Sequence, residues 1–112
     1  MTGLEISEYT GEGYDRTLTY GAWRVAFLNF APQFDNITYI ERHLLTDEVF
    51  VLLAGEAELL IGEEREAVTM EPCRLYNVRA GTWHNIRVSR DARVLIVENS
   101  DTGKQNSEYI YF

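Results

Sequence analysis

Cysteine occurs once in this chain, histidine and proline twice each, and no apolar run approaches the roughly twenty residues that a membrane-crossing helix requires. A single cysteine, Cys73, excludes an internal disulfide. It follows Pro72 at the head of a predicted strand, with no His or Asp beside it to activate a thiolate, so we expect a buried structural thiol rather than a nucleophile. Positive charge is scarce as well: ten Lys and Arg face 18 Asp and Glu, for a formal charge of −8. A scattered and outnumbered set of basic residues argues against a nucleic-acid partner, whose phosphates are bound by clustered Lys and Arg. The opening residues Met1-Thr2-Gly3-Leu4-Glu5 lack the basic and apolar regions of a secretory signal, which leads us to expect a cytoplasmic protein with no membrane association.

What remains is an ordinary globular balance, with 46% hydrophobic and 25% charged residues in 112 positions, enough for one core and one domain spanning 1–112. Helical periodicity is missing. Short alternating stretches rich in β-branched and aromatic residues recur between turns: 23–30, 37–43, 48–53, 57–61, 73–78, 83–89 and 93–98. Residues 1–20, with Gly3, Gly11 and Gly13, read as an irregular leader, 22–100 as the β domain, and 101–112 as a polar loop followed by an edge strand. That last strand, Glu108-Tyr109-Ile110-Tyr111-Phe112, is too apolar for a free tail and is predicted to pair with its own sheet or with a second subunit. Seven or eight short strands at this cadence predict an all-β antiparallel barrel or sandwich.

Both histidines fall in short polar motifs. The first is Glu41-Arg42-His43-Leu44-Leu45-Thr46-Asp47-Glu48, closing on Gly55; the second is Gly81-Thr82-Trp83-His84. Alternation along a strand puts Tyr39, Glu41 and His43 on one face, and places Asp47 opposite Glu48, facing outward. Imidazole nitrogen and carboxylate oxygen together suit a divalent first-row metal, with Zn, Fe, Mn, Ni and Co all compatible.

The spacing of these residues resembles the cupin family. His43, four residues, Glu48, six residues and Gly55 match the latter part of the first cupin motif, with Glu41 where its first histidine usually stands; Gly81 and His84 match the second, with Arg79 and Val88 in place of its proline and asparagine. The resemblance implies a jelly-roll barrel, or double-stranded β-helix, with His43, Glu48, His84 and Glu41 as metal ligands, Glu41 being also the candidate for moving protons. It further implies a small polar ligand such as a sugar or organic acid, and association as a homodimer. Dioxygenase, isomerase, epimerase and lyase chemistries all occur on cupin barrels, and the fold does not choose among them. A non-catalytic binding module, and a barrel whose site has decayed and whose surface serves association, stand as alternatives. Tyr39 and Phe50 share parity with the ligands and are predicted to line the pocket. Tyr76 and Trp83 flank the second motif, where a phenol or indole can orient a ligand, and Ile86, in phase with His84, would make the deep end apolar.

Overall fold

The computed structural model describes residues 2–112, and its framework is ten β-strands with two single-turn 3-10 segments. In chain order the strands are β1 (Tyr14–Tyr20), β2 (Trp23–Asn29), β3 (Tyr39–His43), β4 (Glu48–Ala54), β5 (Ala57–Ile61), β6 (Glu66–Thr69), β7 (Tyr76–Val78), β8 (His84–Val88), β9 (Arg93–Asn99) and β10 (Ser107–Tyr111). They form two five-stranded sheets, β1-β2-β9-β4-β7 and β10-β3-β8-β5-β6, with every strand pair antiparallel. The all-β class expected from the sequence is the one observed. Among the described residues no helix is long and apolar enough to cross a membrane.

Strand alternation builds the core in transverse rows. In the first sheet Leu28, Val94 and Leu52 stand side by side across β2, β9 and β4, and Ala26, Ile96 and Phe50 form the next row; all six are buried. One row further along, Arg24 pairs with Glu98, and Glu48 lies just beyond the Val49–Val97 pair, so charged residues follow apolar ones on the same inner face. The opposite sheet has the same gradient. Val88 pairs with Ala57 and Ile86 with Leu59 in the apolar part, and then come His84, Glu41 and Tyr109 in successive register across β8, β3 and β10. Each sheet therefore contributes apolar rows to one end of the interior and polar rows to the other. The apolar end is the hydrophobic core, and the polar end is where a cavity opens.

Several details depart from the expected strand map. The leader contains a regular strand, β1, whose alternation is broken by a register shift between Asp15 and Leu18, which hid it from a period-two reading. Strand β6 carries no buried residue at all and so shows no inward face in its sequence. Cys73 is exposed, contrary to the buried thiol expected: its φ of 66° takes the backbone through a left-handed turn just after the Leu52–Pro72 bridge, before β7 begins at Tyr76. The C-terminal strand β10 pairs with β3 of its own chain over five residues.

Gly55, the closing residue of the first motif, holds the β4–β5 turn at φ 71°, and a Cβ there would come within 2.6 Å of the Ala92 Cα in the neighbouring turn. Left-handed backbone and a backbone clash act together at this position, so Gly55→Ala is expected to lower unfolding free energy by about 2 kcal/mol or more, measured by urea denaturation. A change within error would mean that the two turns are less tightly apposed.

Candidate metal centre

The turns on either side of the site are tied together before any side chain enters it. Thr46 Oγ1 accepts from the Asn99 amide at 2.9 Å, and the Asp47 carboxylate accepts from Asn77 Nδ2 at 3.1 Å and the Ala80 amide at 2.8 Å. Asp47 points outward, opposite to Glu48, as alternation requires. Gly81, at φ 82°, donates its amide to the His43 carbonyl at 2.7 Å, which couples the second motif to the end of β3. These bonds hold the β3–β4 and β7–β8 connections in register, and they fix where Glu48 and His84 begin their strands.

Inside, Glu48 is the centre of the cluster. Its Oε1 lies 2.9 Å from His84 Nε2 and 3.2 Å from His43 Nε2, while Glu41 Oε1 is 3.2 Å from His43 Nε2. The ligand atoms of His43, Glu48 and His84 all fall within 4.8 Å of one another, and the two imidazoles meet edge to face with centroids 5.3 Å apart. Each ring is held from behind. His84 Nδ1 is 2.9 Å from the Thr82 carbonyl, which can only accept, so that nitrogen carries a proton; His43 Nδ1 is 2.7 Å from Ser107 Oγ. Holding the rear nitrogen in this way turns the other one toward the cluster, the usual support of a metal-ligating histidine, and for His84 the carbonyl also fixes which nitrogen carries the proton.

Burial disfavours the charged form of all four groups, and their mutual contacts decide what results. For His43 and His84 burial is the largest single influence and lowers both, but the Glu48 and Glu41 carboxylates together outweigh it, with help from the Thr82 carbonyl at His84, and both are raised above the ordinary histidine value. Glu48, although almost wholly buried, is held far below the usual carboxylate range by the two imidazoles. Glu41 is raised, by burial first and also by the charge of Glu48, with the histidines offsetting only part of this.

A pH dependence follows for protein stripped of metal. A histidine raised by folding contributes stability that is fully present below about 6.5 and is lost as pH climbs through the folded value. We therefore expect the melting temperature of chelator-treated protein to fall as pH rises from 6 to 9. Metal affinity must run the other way, because the ligating nitrogens have to shed those protons. Thermal melts at several pH values, with and without added Zn²⁺, test both slopes, and parallel slopes would contradict the linkage.

The cluster sits in a cavity of about 260 Å³ between the two sheets. Tyr39, Glu41, His43, Glu48, Phe50, His84 and Ile86 line it. Tyr76 and Trp83 do not, which corrects their expected place at the wall. Trp83 is opposite in parity to His84 and lies on the outer face under the Arg42 guanidinium, 4.6 Å from its ring centroid; Tyr76 packs beside the core and accepts a hydrogen bond from the Glu71 amide at 2.9 Å.

The wall includes residues that the motifs did not point to, above all Arg24 and Glu98. These two form a buried ion pair on neighbouring strands, and the Arg24 guanidinium also donates to the carbonyls of Ser100 at 3.2 Å and Thr102 at 2.9 Å. Burial and the nearby Glu48 push the Glu98 carboxyl up to about 7 even with Arg24 against it. A signal existed in the sequence: Arg24 is in phase with Ala26 and Leu28, and Glu98 with Val94 and Ile96, so each is a charge at the end of an inward apolar alternation.

Neither a protein-family model nor a curated protein sequence matches the chain. Solved structures do. Streptomyces Pac13, described as a nucleoside dehydratase and solved with uridine, superposes with a TM-score of 0.72 at 14% identity, covering 100% of this chain and 93% of Pac13. A cupin-2 domain protein from Shewanella frigidimarina gives 0.65 at 14% identity over 81% of this chain and 84% of its own. The Fe(II) form of HppE gives 0.62 at 13% identity over 78% of this chain and 50% of HppE. At such identities the likeness is one of architecture, and on it, together with the two facing antiparallel sheets, this chain has the cupin fold.

Proposed function

We propose that the cavity is a metal-dependent site for a small polar metabolite, with His43, Glu48 and His84 holding a divalent first-row ion and Glu41 at its open side. The observation that carries this reading is the convergence of two imidazole Nε2 atoms on one carboxylate oxygen, each ring pinned through Nδ1. The donor set fits: two neutral imidazoles and a carboxylate kept ionised are what such an ion requires, and their rear partners are already in place. When bound, a metal there would polarise a carbonyl or stabilise an enolate-like anion.

The protein's own part is positioning and proton transfer. Glu41 is the most solvent-accessible member of the cluster, with 22% of its side chain exposed against 8% for Glu48, and burial raises its affinity for a proton. A carboxyl of that kind takes a proton from a bound molecule or returns one, the chemistry that isomerases, epimerases and lyases share. Phe50 and Ile86 close the deep side against water, and Tyr39 supplies an aromatic wall beside Glu41. The likeness to Pac13, a nucleoside dehydratase, supports a small polar substrate, and the Fe(II) form of HppE supports the metal.

Metal analysis of protein purified without chelator tests the reading; a substoichiometric content that added Zn²⁺, Mn²⁺, Fe²⁺, Co²⁺ and Ni²⁺ all fail to raise would refute it. A metal-free acid–base site is the second reading, favoured by the unbroken series of short contacts from Glu41 through His43 and Glu48 to His84.

Two substitutions separate the roles of Glu41. If it is a ligand, Glu41→His is expected to keep or tighten metal binding, because imidazole is as good a donor for late first-row ions. If it moves protons, Glu41→Gln is expected to leave metal content unchanged and abolish turnover once a substrate is found. Unchanged metal content and turnover in both variants would remove Glu41 from the site.

A further inference from the structure

The cavity's charge is unlike that of the protein. The chain as a whole carries −8, yet its lining has three cations, Arg16, Arg24 and Lys104, against three carboxylates, Glu41, Glu48 and Glu98, before either histidine is protonated. The carboxylates are all engaged: Glu98 with Arg24, Glu48 with both histidines, Glu41 with His43. Two of the cations are not. Among the described residues neither Arg16 nor Lys104 forms an ion pair, in a protein where acids outnumber bases almost two to one and Lys104 is the one lysine of the sequence.

Their placement is specific. Arg16 lies on β1, the edge strand of one sheet, within the register shift that follows Asp15; it lines the cavity beside Tyr14, and its guanidinium sits 5.9 Å from the Tyr14 ring centroid with no carboxylate paired to it. Lys104 begins the 3-10 turn that leads into β10, the edge strand of the other sheet. The segment before it is anchored by the bonds from Arg24 to Ser100 and Thr102. Thr102, two residues before Lys104, is a buried residue that lines the same cavity. Both unpaired cations are exposed while lining the cavity, and so stand where it opens to solvent.

We propose that the cavity takes a small anion, a molecule whose carboxylate or phosphate is bound between Arg16 and Lys104 while its polar body reaches down toward the histidine–glutamate cluster. The inference rests on the reading of the cavity as a small-molecule site and names the class of molecule. An unneutralised guanidinium and ammonium on either side of one opening supply charge-assisted bonds that a neutral compound cannot use, and their field draws an anion to a protein whose overall charge repels it.

Matched probes test it: uridine 5′-monophosphate against uridine, and glucuronate against glucose, titrated calorimetrically into wild type, Arg16→Gln, Lys104→Gln and the double variant. In at least one pair the anion is expected to bind wild type about tenfold or more tightly than its neutral partner, the factor that one charge-assisted bond supplies. The double variant should lose that preference, and Arg16→Lys with Lys104→Arg should keep it. A preference in the uridine pair alone assigns the anion as phosphate, and in the glucuronate pair alone as carboxylate. Equal binding of neutral and charged partners, no binding by either anion, or a preference that survives in the double variant would overturn the proposal. Metal content, measured on every variant, keeps the two readings apart: a metal-free wild type that still prefers the anion sinks only the metal centre, and a metal-loaded one without preference sinks only the anion subsite.

Discussion

Replacing His84 by alanine is expected to weaken metal binding by more than about 100-fold, since losing a mere supporting partner of a ligand already costs up to about that much. His84 is the most constrained member of the cluster. It is almost fully buried, hydrogen-bonded at Nδ1 to the Thr82 carbonyl and directed at Glu48 through Nε2. The difference is also readable as stability. A metal present at a hundred times its dissociation constant stabilises the folded state by about 2.7 kcal/mol, which for a domain of this size raises the melting temperature by roughly 10 °C. Wild type should show that rise and His84→Ala should not. Equal rises in both would place the metal elsewhere and leave the histidine with a structural role.

The second large effect is expected at Arg24. Its side chain is 4% exposed, and the guanidinium is paired with Glu98 and bonded to two carbonyls of the 100–102 segment. Arg24→Ala would leave Glu98 buried beside Glu48 with no cation between them, and the cost of stranding one partner of a buried pair is about 3–5 kcal/mol. That is a large share of the roughly 5–15 kcal/mol by which a domain of this kind is stable. Arg24→Met combined with Glu98→Leu removes both charges while keeping volume, and should recover most of the loss. Urea denaturation of the three proteins checks the ordering. If the double variant were as unstable as Arg24→Ala, the carbonyl bonds to Ser100 and Thr102, and not the stranded carboxylate, would account for the effect.

The inward face of each strand could be read directly from sequence, because side chains alternate strictly along an extended backbone. Alternation puts Phe50 and Leu52 in phase with Glu48, and Ile86 and Val88 in phase with His84, and those are the residues found inside. It equally turned Asp47 outward. The same rule missed β1, where the shift between Asp15 and Leu18 breaks the period, and β6, where no face is buried and there is no pattern to find. Trp83 and Tyr76 were drawn toward the pocket by nearness to a motif, and nearness in sequence carries no direction. Cys73 illustrates a further limit: one residue in left-handed backbone was enough to leave a normally buried side chain in solvent.

Local chemistry thus settled the all-β class, the glycine turns and the identity of His43, Glu48 and His84 as candidates, since each depends on residues a few positions apart. Assembly of the site was a different matter. Glu48 and His84 are 36 residues apart and meet across the space between two sheets, and Arg24 reaches Glu98 over 74 residues because β2 lies against β9. The unpaired cations at the mouth come from the two ends of the chain, brought to one opening when β1 and β10 become edge strands. Contacts of that kind depend on which strands neighbour one another, and the free energy that selects the neighbours is the burial of the apolar rows as a whole, a property of the packed core that no short stretch of sequence contains.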